Sequence, residues 1–553
     1  MTMRKPAWLF LSMMLVLSLF LAACSGGDKT ATDGKKQEDD DKVSENTEPV
    51  DGGDLIMGYS GSPTLFNSLY SDDQISADVE DLIFEGLVGS NKEDFTPNTD
   101  ELAESVDESE DGLTYTVKLR EGIKFHDGED LTADDVVFTY NIPLNKDYDG
   151  ISKSYFEALE SVEKVDDLTV KFNMKRVDAQ FHTVGLSFKI LPEHILKDVP
   201  VSELGEHEFN TKNPIGSGPF KFVEWKDGEY LKVEAFEEYY QGRPHLDTIT
   251  LKFVPDANAM LTQLQNRDID FWAGVPPSDI ETVKSFQDNI GIKIEEGLAL
   301  QYNYLAGNLR NDLFKDKEVR QAITHAIDRE TIINEIVEGH GEVAHTPESP
   351  LSWAYNEDVP HFDYDPEKAK KMLAEAGWKP GSDGILEKDG KKFSFEIKTN
   401  QGNKAREDIV VLLQEQLKEV GIEAKPKVVE FSSLVADLDP GVWNFDAIVL
   451  GWSLGTDPDP SGIYHTKEIE NGLNFNGYSN PDLDKLMDQQ LQEKDQEKRK
   501  ELIGQIQAGL AEDQPYTFLY YPIEFRAMPT ELEGYEFHAK NVMYKPHQWW
   551  LNK

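Results

Sequence analysis

Cysteine occurs once in the 553 residues, at Cys24. Disulfides within the chain and cysteine-based metal sites are therefore excluded. Basic residues are scarce beside acidic ones, 55 against 104, for a formal net charge of −49. A chain so acidic is repelled by nucleic acid and by anionic lipid, so neither is expected as a partner. His340 and His345 stand five apart, poorly spaced for one helix face. There is no His-Glu-x-x-His pair and no phosphate loop, which leaves metal hydrolysis and nucleotide chemistry without support. No catalytic residue, cofactor or metal is assigned. After residue 23 there is no second long apolar run, and no internal repeat.

What is present begins with an export signal. Arg4 and Lys5 precede an apolar stretch from Trp8 to Leu21 that is short for a membrane span of ~20 residues, and the small residues Ala22 and Ala23 follow. Leu21-Ala22-Ala23-Cys24 resembles the bacterial lipobox. That resemblance implies removal of residues 1–23 and lipidation of Cys24. Residues 24–53 are acidic and poor in large apolar side chains, so they read as a disordered tether. The expected place of work is the extracytoplasmic face of a bacterial membrane. The negative charge fits plain solubility. It also fits alkaline surroundings, for which stability would stay flat from about pH 7 to about pH 10.

From residue 54 onward the chain is rich in aromatics and long enough for two or three domains. Tyr115, Val117 and Leu119 alternate with polar residues, as do Leu168, Val170, Phe172 and Met174, and Ile249, Leu251 and Phe253; these are half-buried strands. Thr132 is placed to cap a helix whose first turn carries Asp134 and Asp135. Further on, Val319, Ala322, Ile323, Ala326, Ile327, Ile332, Ile333 and Ile336 trace a helical stripe. Asp365-Pro366 opens another helix, which Gly377 closes. A strand at 393–399, a helix carrying Ile409, Leu412, Leu413, Leu417 and Val420, a strand at 427–431, a short helix and the apolar strand 447–450 then alternate. Such alternation predicts an α/β lobe, with ligands bound beyond the carboxyl ends of its strands, where Gly451-Trp452-Ser453-Leu454-Gly455-Thr456-Asp457-Pro458-Asp459 lies.

Lys118-Leu-Arg-Glu-Gly-Ile-Lys-Phe-His-Asp-Gly128 and Leu131-Thr-Ala-Asp-Asp-Val136 resemble the signature region of the family 5 extracellular solute-binding proteins, which serve peptide and nickel ABC importers. Asn213-Pro-Ile-Gly-Ser-Gly-Pro-Phe220, Tyr239-Tyr-Gln-Gly-Arg-Pro-His-Leu246, Val319-Arg-Gln-Ala-Ile323, Ala326-Ile-Asp-Arg-Glu330 and Tyr478-Ser-Asn-Pro-Asp-Leu-Asp484 continue the series in the family's order. The resemblance implies an α/β, two-lobed periplasmic-binding-protein-like fold (type II, cluster C) with a hinge and an extra domain on the first lobe. By analogy lobe I is 54–94, 213–300 and 521–553, the extra domain 95–212, and lobe II 301–520, with crossings near Leu298–Leu305 and Phe518–Pro522. It further implies a monomeric, non-enzymatic binder that closes on a peptide and hands it to the permease subunits of an importer, tethered by its lipid.

The same resemblance implies the site. Trp452 lines the cleft, with Tyr59, Ser60 and Gly61 after the first strand, Tyr302 and Asn303 beside the hinge, and Trp272 on the interlobe face. In peptide-binding members an aspartate three residues after this tryptophan takes the peptide's α-ammonium; here that position is Gly455. Asp457, or Asp459, is the candidate to replace it, and the loss leans toward oligopeptides over dipeptides. Arg406, near a helix start, is placed to meet a carboxylate. Asp457 to Glu468 also has much of the spacing of a calcium loop, though after a strand and with two prolines inside. The alternatives are dipeptide or nickel-chelate binding on the same fold, a secreted glycoside hydrolase built on acidic and tryptophan side chains, and a surface sensor.

Overall fold

Alternating apolar residues build the sheet that runs through the molecule. The computed structural model describes residues 48–552 apart from 72 and 471. The signal peptide, Cys24 and most of the expected tether lie outside the described residues. Twelve strands join in one mixed sheet, whose main path is Glu423–Val429, Ser394–Asn400, Ala447–Ser453, Gln301–Gly307, Tyr516–Pro529, Phe271–Ala273, Asp54–Tyr59, Thr248–Phe253, Tyr230–Ala235 and Phe220–Lys226.

The strand Tyr516–Pro529 belongs to both lobes. Its first half pairs antiparallel with Gln301–Gly307, from Tyr516 opposite Ala306 to Tyr520 opposite Asn303. Its second half pairs with Ile292–Leu298, from Ile523 opposite Leu298 to Pro529 opposite Ile292. Only Ala299 and Leu300 separate those two partners, and the Ala299 N–H donates to the Pro522 carbonyl at 2.9 Å. Proline has no N–H to continue a ladder, so the two crossings meet where pairing is weakest, as a hinge requires. Each side has its own core: Leu55, Ile249 and Leu251 lie in one, Ile323, Ile397 and Leu413 in the other, with an aromatic cluster around Tyr304, Phe475 and Tyr516 beside it.

The inserted segment forms a four-stranded antiparallel sheet, Ala103–Glu108, Thr114–Leu119, Thr169–Met174 and Leu159–Asp166 in spatial order. The helix Ala133–Leu144 starts where the sequence places it. Thr132 accepts from the Asp134 N–H, and the Asp135 carboxylate accepts from the Thr132 N–H at 2.9 Å. Val117, Tyr140 and Phe172 share one continuous core with the first lobe. The insertion is thus packed on that lobe with no separate interior.

In the second lobe the parallel strands Ser394–Asn400 and Glu423–Val429 are joined by the helix Lys404–Glu419, which buries Ile409, Leu413 and Leu417. The helix Pro366–Glu375 opens at Asp365, as read, and Gly377 follows it with φ +94°. Two expectations are corrected. The stripe from Val319 to Ile336 is not one helix: Lys317–His325 ends, Asp328 caps a new turn through the Thr331 N–H, and a π turn spans Ile332–Ile336. The carboxylate of Asp328 competes with the helical carbonyl for that N–H. The strand expected at 427–431 begins earlier, at Glu423, and gives way at Glu430, which caps the helix Phe431–Leu438 by accepting from the Ser433 N–H.

Candidate functional site

The carboxyl end of Ala447–Ser453 faces the hinge, and its pairing with Gln301–Gly307 sorts side chains onto two faces. Tyr302 stands opposite Trp452 and Asn303 opposite Gly451. On one face Trp452, half-buried, stacks on Tyr304 with ring centroids 6.3 Å apart. On the other, a side chain at Gly451 would lie 2.7 Å from the Arg406 guanidinium, so glycine there makes the room that Arg406 occupies. Arg406 donates to Asn303 Oδ1 at 3.3 Å and Asn400 Oδ1 at 3.1 Å. Among the described residues no carboxylate pairs with it, and burial holds its pKa below the ordinary value. A half-buried guanidinium without a counter-ion is suited to an anionic group of a ligand.

Several expected contacts fall elsewhere. Tyr302 is wholly buried, its hydroxyl 2.8 Å from that of Tyr464, and it reaches only a small cavity of about 90 Å³. Trp272 packs in the core with Met260, Ile269 and Phe525, on a strand paired along both edges. Tyr59 is buried and donates to Asp78 at 2.9 Å. These three aromatics support the walls from behind. Ser60 is exposed after the first strand, and Gly61 lies against Ile75, where a Cβ would stand 3.1 Å from it.

The acid expected to replace the missing ammonium partner is already neutralised. Arg499 holds both Asp457 oxygens, at 2.7 and 2.6 Å, with the pair almost fully buried. Asp459 accepts from Gln180 and from Gln490, each at 2.6 Å, and from Ser461. Burial raises its pKa to about 6. Neither carboxylate is left for a calcium ion, and among the described residues no three His, Cys, Asp or Glu side chains converge as a metal site would need. His345 stacks on His361 at 3.7 Å, and His340 packs edge-on to Phe525.

Sequence reasoning missed what these acids do: they close a seam. Gln180 belongs to the inserted domain and Asp459 to the second lobe. Beside them the Ala179 N–H donates to the Leu491 carbonyl at 2.9 Å, and Lys494 donates to the Ser109 carbonyl at 3.1 Å. Further along, Lys540 from the C-terminal segment lies 3.4 Å from the Ser453 hydroxyl. A cavity of about 800 Å³ lies in the first lobe and the inserted domain packed on it. The helix Gln74–Ile83, the tyrosines Tyr239 and Tyr240 and the segment 538–548 wall it, and Thr456 from the loop after Trp452 reaches its edge.

The buried acids set a pH dependence. Burial raises Asp78 to about 7 and Glu80, Glu85 and Glu348 to about 8. The folded protein therefore holds protons that the unfolded chain releases, and stability falls as pH rises from about 4.5 to about 8. Burial lowers His126, His345, His538 and His547 to about 4. That contribution has the opposite sign and is lost as pH falls below about 6.5. Between about pH 4.5 and about pH 6.5 the two contributions largely cancel and above that the acids act alone, so the melting temperature is expected to hold level to about pH 6.5 and to fall through about pH 8, in place of the flat alkaline profile the charge alone suggests. Thermal melts across the range check this; an undiminished melting temperature at about pH 9 would contradict it.

Comparison with known proteins accords with this geometry. The model of the bacterial extracellular solute-binding proteins, family 5, middle region, matches residues 99–472. The chain is 52% identical over 561 residues to the oligopeptide-binding protein AppA of Bacillus subtilis, covering 100% of this chain and 99% of that one. The solved structure of that AppA in complex with a nonapeptide superposes with a TM-score of 0.80 over 92% of this chain and 100% of that one. NikZ from Campylobacter jejuni, solved with Ni(L-His), is 28% identical, with a TM-score of 0.78 over 90% of this chain and 99% of that one.

Proposed function

The chain belongs to the family 5 bacterial extracellular solute-binding proteins, and we infer from that membership and from its cleft that it captures oligopeptides between two closing lobes for the permease of an ABC importer. The observation that carries this reading is the strand Tyr516–Pro529, which pairs with Gln301–Gly307 in one lobe and Ile292–Leu298 in the other and so joins them at a hinge near Pro522. A peptide touching both walls has more contacts in the closed form, and that differential affinity drives closure. The seam of Gln180 with Asp459 and of Ala179 with Leu491 adds contacts between the inserted domain and the second lobe in that form. No bond is made or broken.

Trp452, Ser60 and Gly61 form ligand-facing wall, and Arg406, positioned by Asn303, meets a carboxylate of the peptide. Gly455 offers no charge for the α-ammonium, and Asp457 is paired with Arg499, so recognition does not depend on a free N-terminus close to Trp452. That favours oligopeptides over dipeptides. Lobe I comprises 54–94, 213–300 and 521–553, the extra domain 95–212 and lobe II 301–520, with Cys24 lipidated and residues 24–53 as the tether. Substituting Cys24→Ser releases the protein from membranes into the medium; retention in the membrane fraction would contradict the anchor.

Calorimetric titration with peptides from dipeptides to dodecapeptides tests the function. Affinity is expected to rise with length to the oligopeptide range. Binding of dipeptides alone, or of a nickel chelate and no peptide, would overturn it.

A further inference from the structure

The end of the strand Ala447–Ser453 is approached by two cations, one from each lobe. Alternation along a strand puts the side-chain positions of 451 and 453 on one face, about 7 Å apart, and Trp452 on the other. Gln301 and Asn303, paired with Ser453 and Gly451, point to that same face: Gln301 Nε2 and Asn303 Oδ1 lie 2.9 and 3.0 Å from where a Cβ at Gly451 would stand. Arg406 enters from the second lobe. Its Nε and Nη1 donate to Asn303 and Asn400, while Nη2, the guanidinium atom nearest Gly451, donates to nothing among the described residues and is not sealed from solvent. Lys540 enters from the C-terminal segment, whose Val542, Met543 and Trp549 are built into the first-lobe core. Its Nζ reaches across to Ser453 Oγ at 3.4 Å, an exposed contact longer than a good hydrogen bond and readily exchanged for a charged partner.

Acidic residues outnumber basic ones 104 to 55, so two neighbouring cations without an ion pair stand out. The acid that acts on Lys540, Asp78, is buried, and its oxygens accept from the Tyr59 hydroxyl and the Gln74 amide, each at 2.9 Å. Burial holds both cations below their ordinary pKa, and an anion set between them opposes that shift. One carboxylate, accepting at about 2.8 Å on each oxygen, bridges donors spaced as these strand positions are. Gln301 Nε2 is a neutral donor at the same place.

We propose that Lys540 is a specificity-determining residue, the first-lobe half of a clamp that closes with Arg406 of the second lobe on one carboxylate of the bound peptide. The assignment rests on the peptide-capture reading and deepens it: a carboxylate held from both lobes makes contacts that only the closed form offers.

The test uses acetylated nonapeptides of alanine and serine, titrated into the full-length protein by calorimetry. One arm compares a C-terminal acid with a C-terminal amide. The other walks a single glutamate, or glutamine as its neutral control, through every position of the amide. In one of the arms the carboxylate peptide is expected to bind roughly tenfold or more tighter than its neutral counterpart, and that arm identifies the source as the C-terminus or an acidic side chain. Lys540→Met reduces this ratio by about fivefold or more while the neutral peptides stay within about twofold of their parent affinity, and Lys540→Arg keeps the ratio. Lys540→Gln is the second neutral variant should the methionine protein fail to fold. A lysine that only supports the fold would weaken carboxylate and neutral peptides alike, and that result overturns the clamp. So does a carboxylate preference that both neutral variants leave unchanged, or the lack of any preference in either arm; peptide capture survives all three. If no nonapeptide binds, the capture reading fails and the clamp with it.

Discussion

Replacing Arg499 with leucine lowers the unfolding free energy by about 3–5 kcal/mol in denaturant titration. Among the described residues the guanidinium is the one cation hydrogen-bonded to Asp457, and only 5% of either side chain is exposed. Its charge also acts on Asp178, Asp459 and Glu348, whose pKa values burial already raises. Without it Asp457 is a buried charge beside three other acids, and leaving one partner of a buried pair alone costs far more than removing both. The double variant Arg499→Leu with Asp457→Leu is accordingly expected to recover most of the loss. A single variant within about 1 kcal/mol of the parent would contradict the buried pairing. The same measurement separates two roles for Asp457. As a structural acid, its substitution by asparagine lowers stability and leaves no specific penalty on peptides with a free N-terminus.

The substitution Gly455→Asp produces the larger change in specificity. A Cβ at this position meets nothing nearer than the Asp457 backbone at 3.9 Å, and Gly455 has no positive φ to disfavour a side chain. The aspartate enters at the position from which, by family resemblance, the peptide α-ammonium is reached. A charge-assisted hydrogen bond contributes about 1.5–3 kcal/mol, so affinity for dipeptides and tripeptides with a free N-terminus rises by roughly tenfold to a hundredfold. Acetylated versions of the same peptides gain nothing. Equal gains for free and acetylated peptides, or none for either, would show that position 455 does not face the ligand's N-terminus.

Local signals in the sequence carried the fold a long way. Thr132 with Asp135, and Asp365 before Pro366, announce helix starts because a capping side chain acts within three residues. Alternation at Tyr115, Val117 and Leu119 announces a half-buried strand. The same local logic fails where a competing side chain intervenes, as at Asp328, which breaks an apolar stripe that otherwise reads as one helix.

The site was less legible because its decisive contacts are distant in the chain. Arg499 is 42 residues from Asp457, and Gln180 is 279 from Asp459, so no spacing reveals either pair. Strand alternation places Tyr302 and Trp452 on one face of their pair, but it does not say which apolar face meets the core. Tyr302 therefore fits cleft or core equally in the sequence, and it is found inside the aromatic cluster. In the sequence Arg406 is one charge among several near a helix start. What marks it is Gly451, across a fold contact, where the absence of a side chain leaves its space.

Closure on an oligopeptide is the centre of the account, and native mass spectrometry of the gently purified protein tests it most directly. The predicted spectrum shows protein carrying peptide adducts several residues long, replaced by a bare mass after denaturation and dialysis and restored on adding a nonapeptide. A spectrum of metal-chelate or sugar adducts, or of dipeptides alone, with no adduct formed by the nonapeptide, would contradict it.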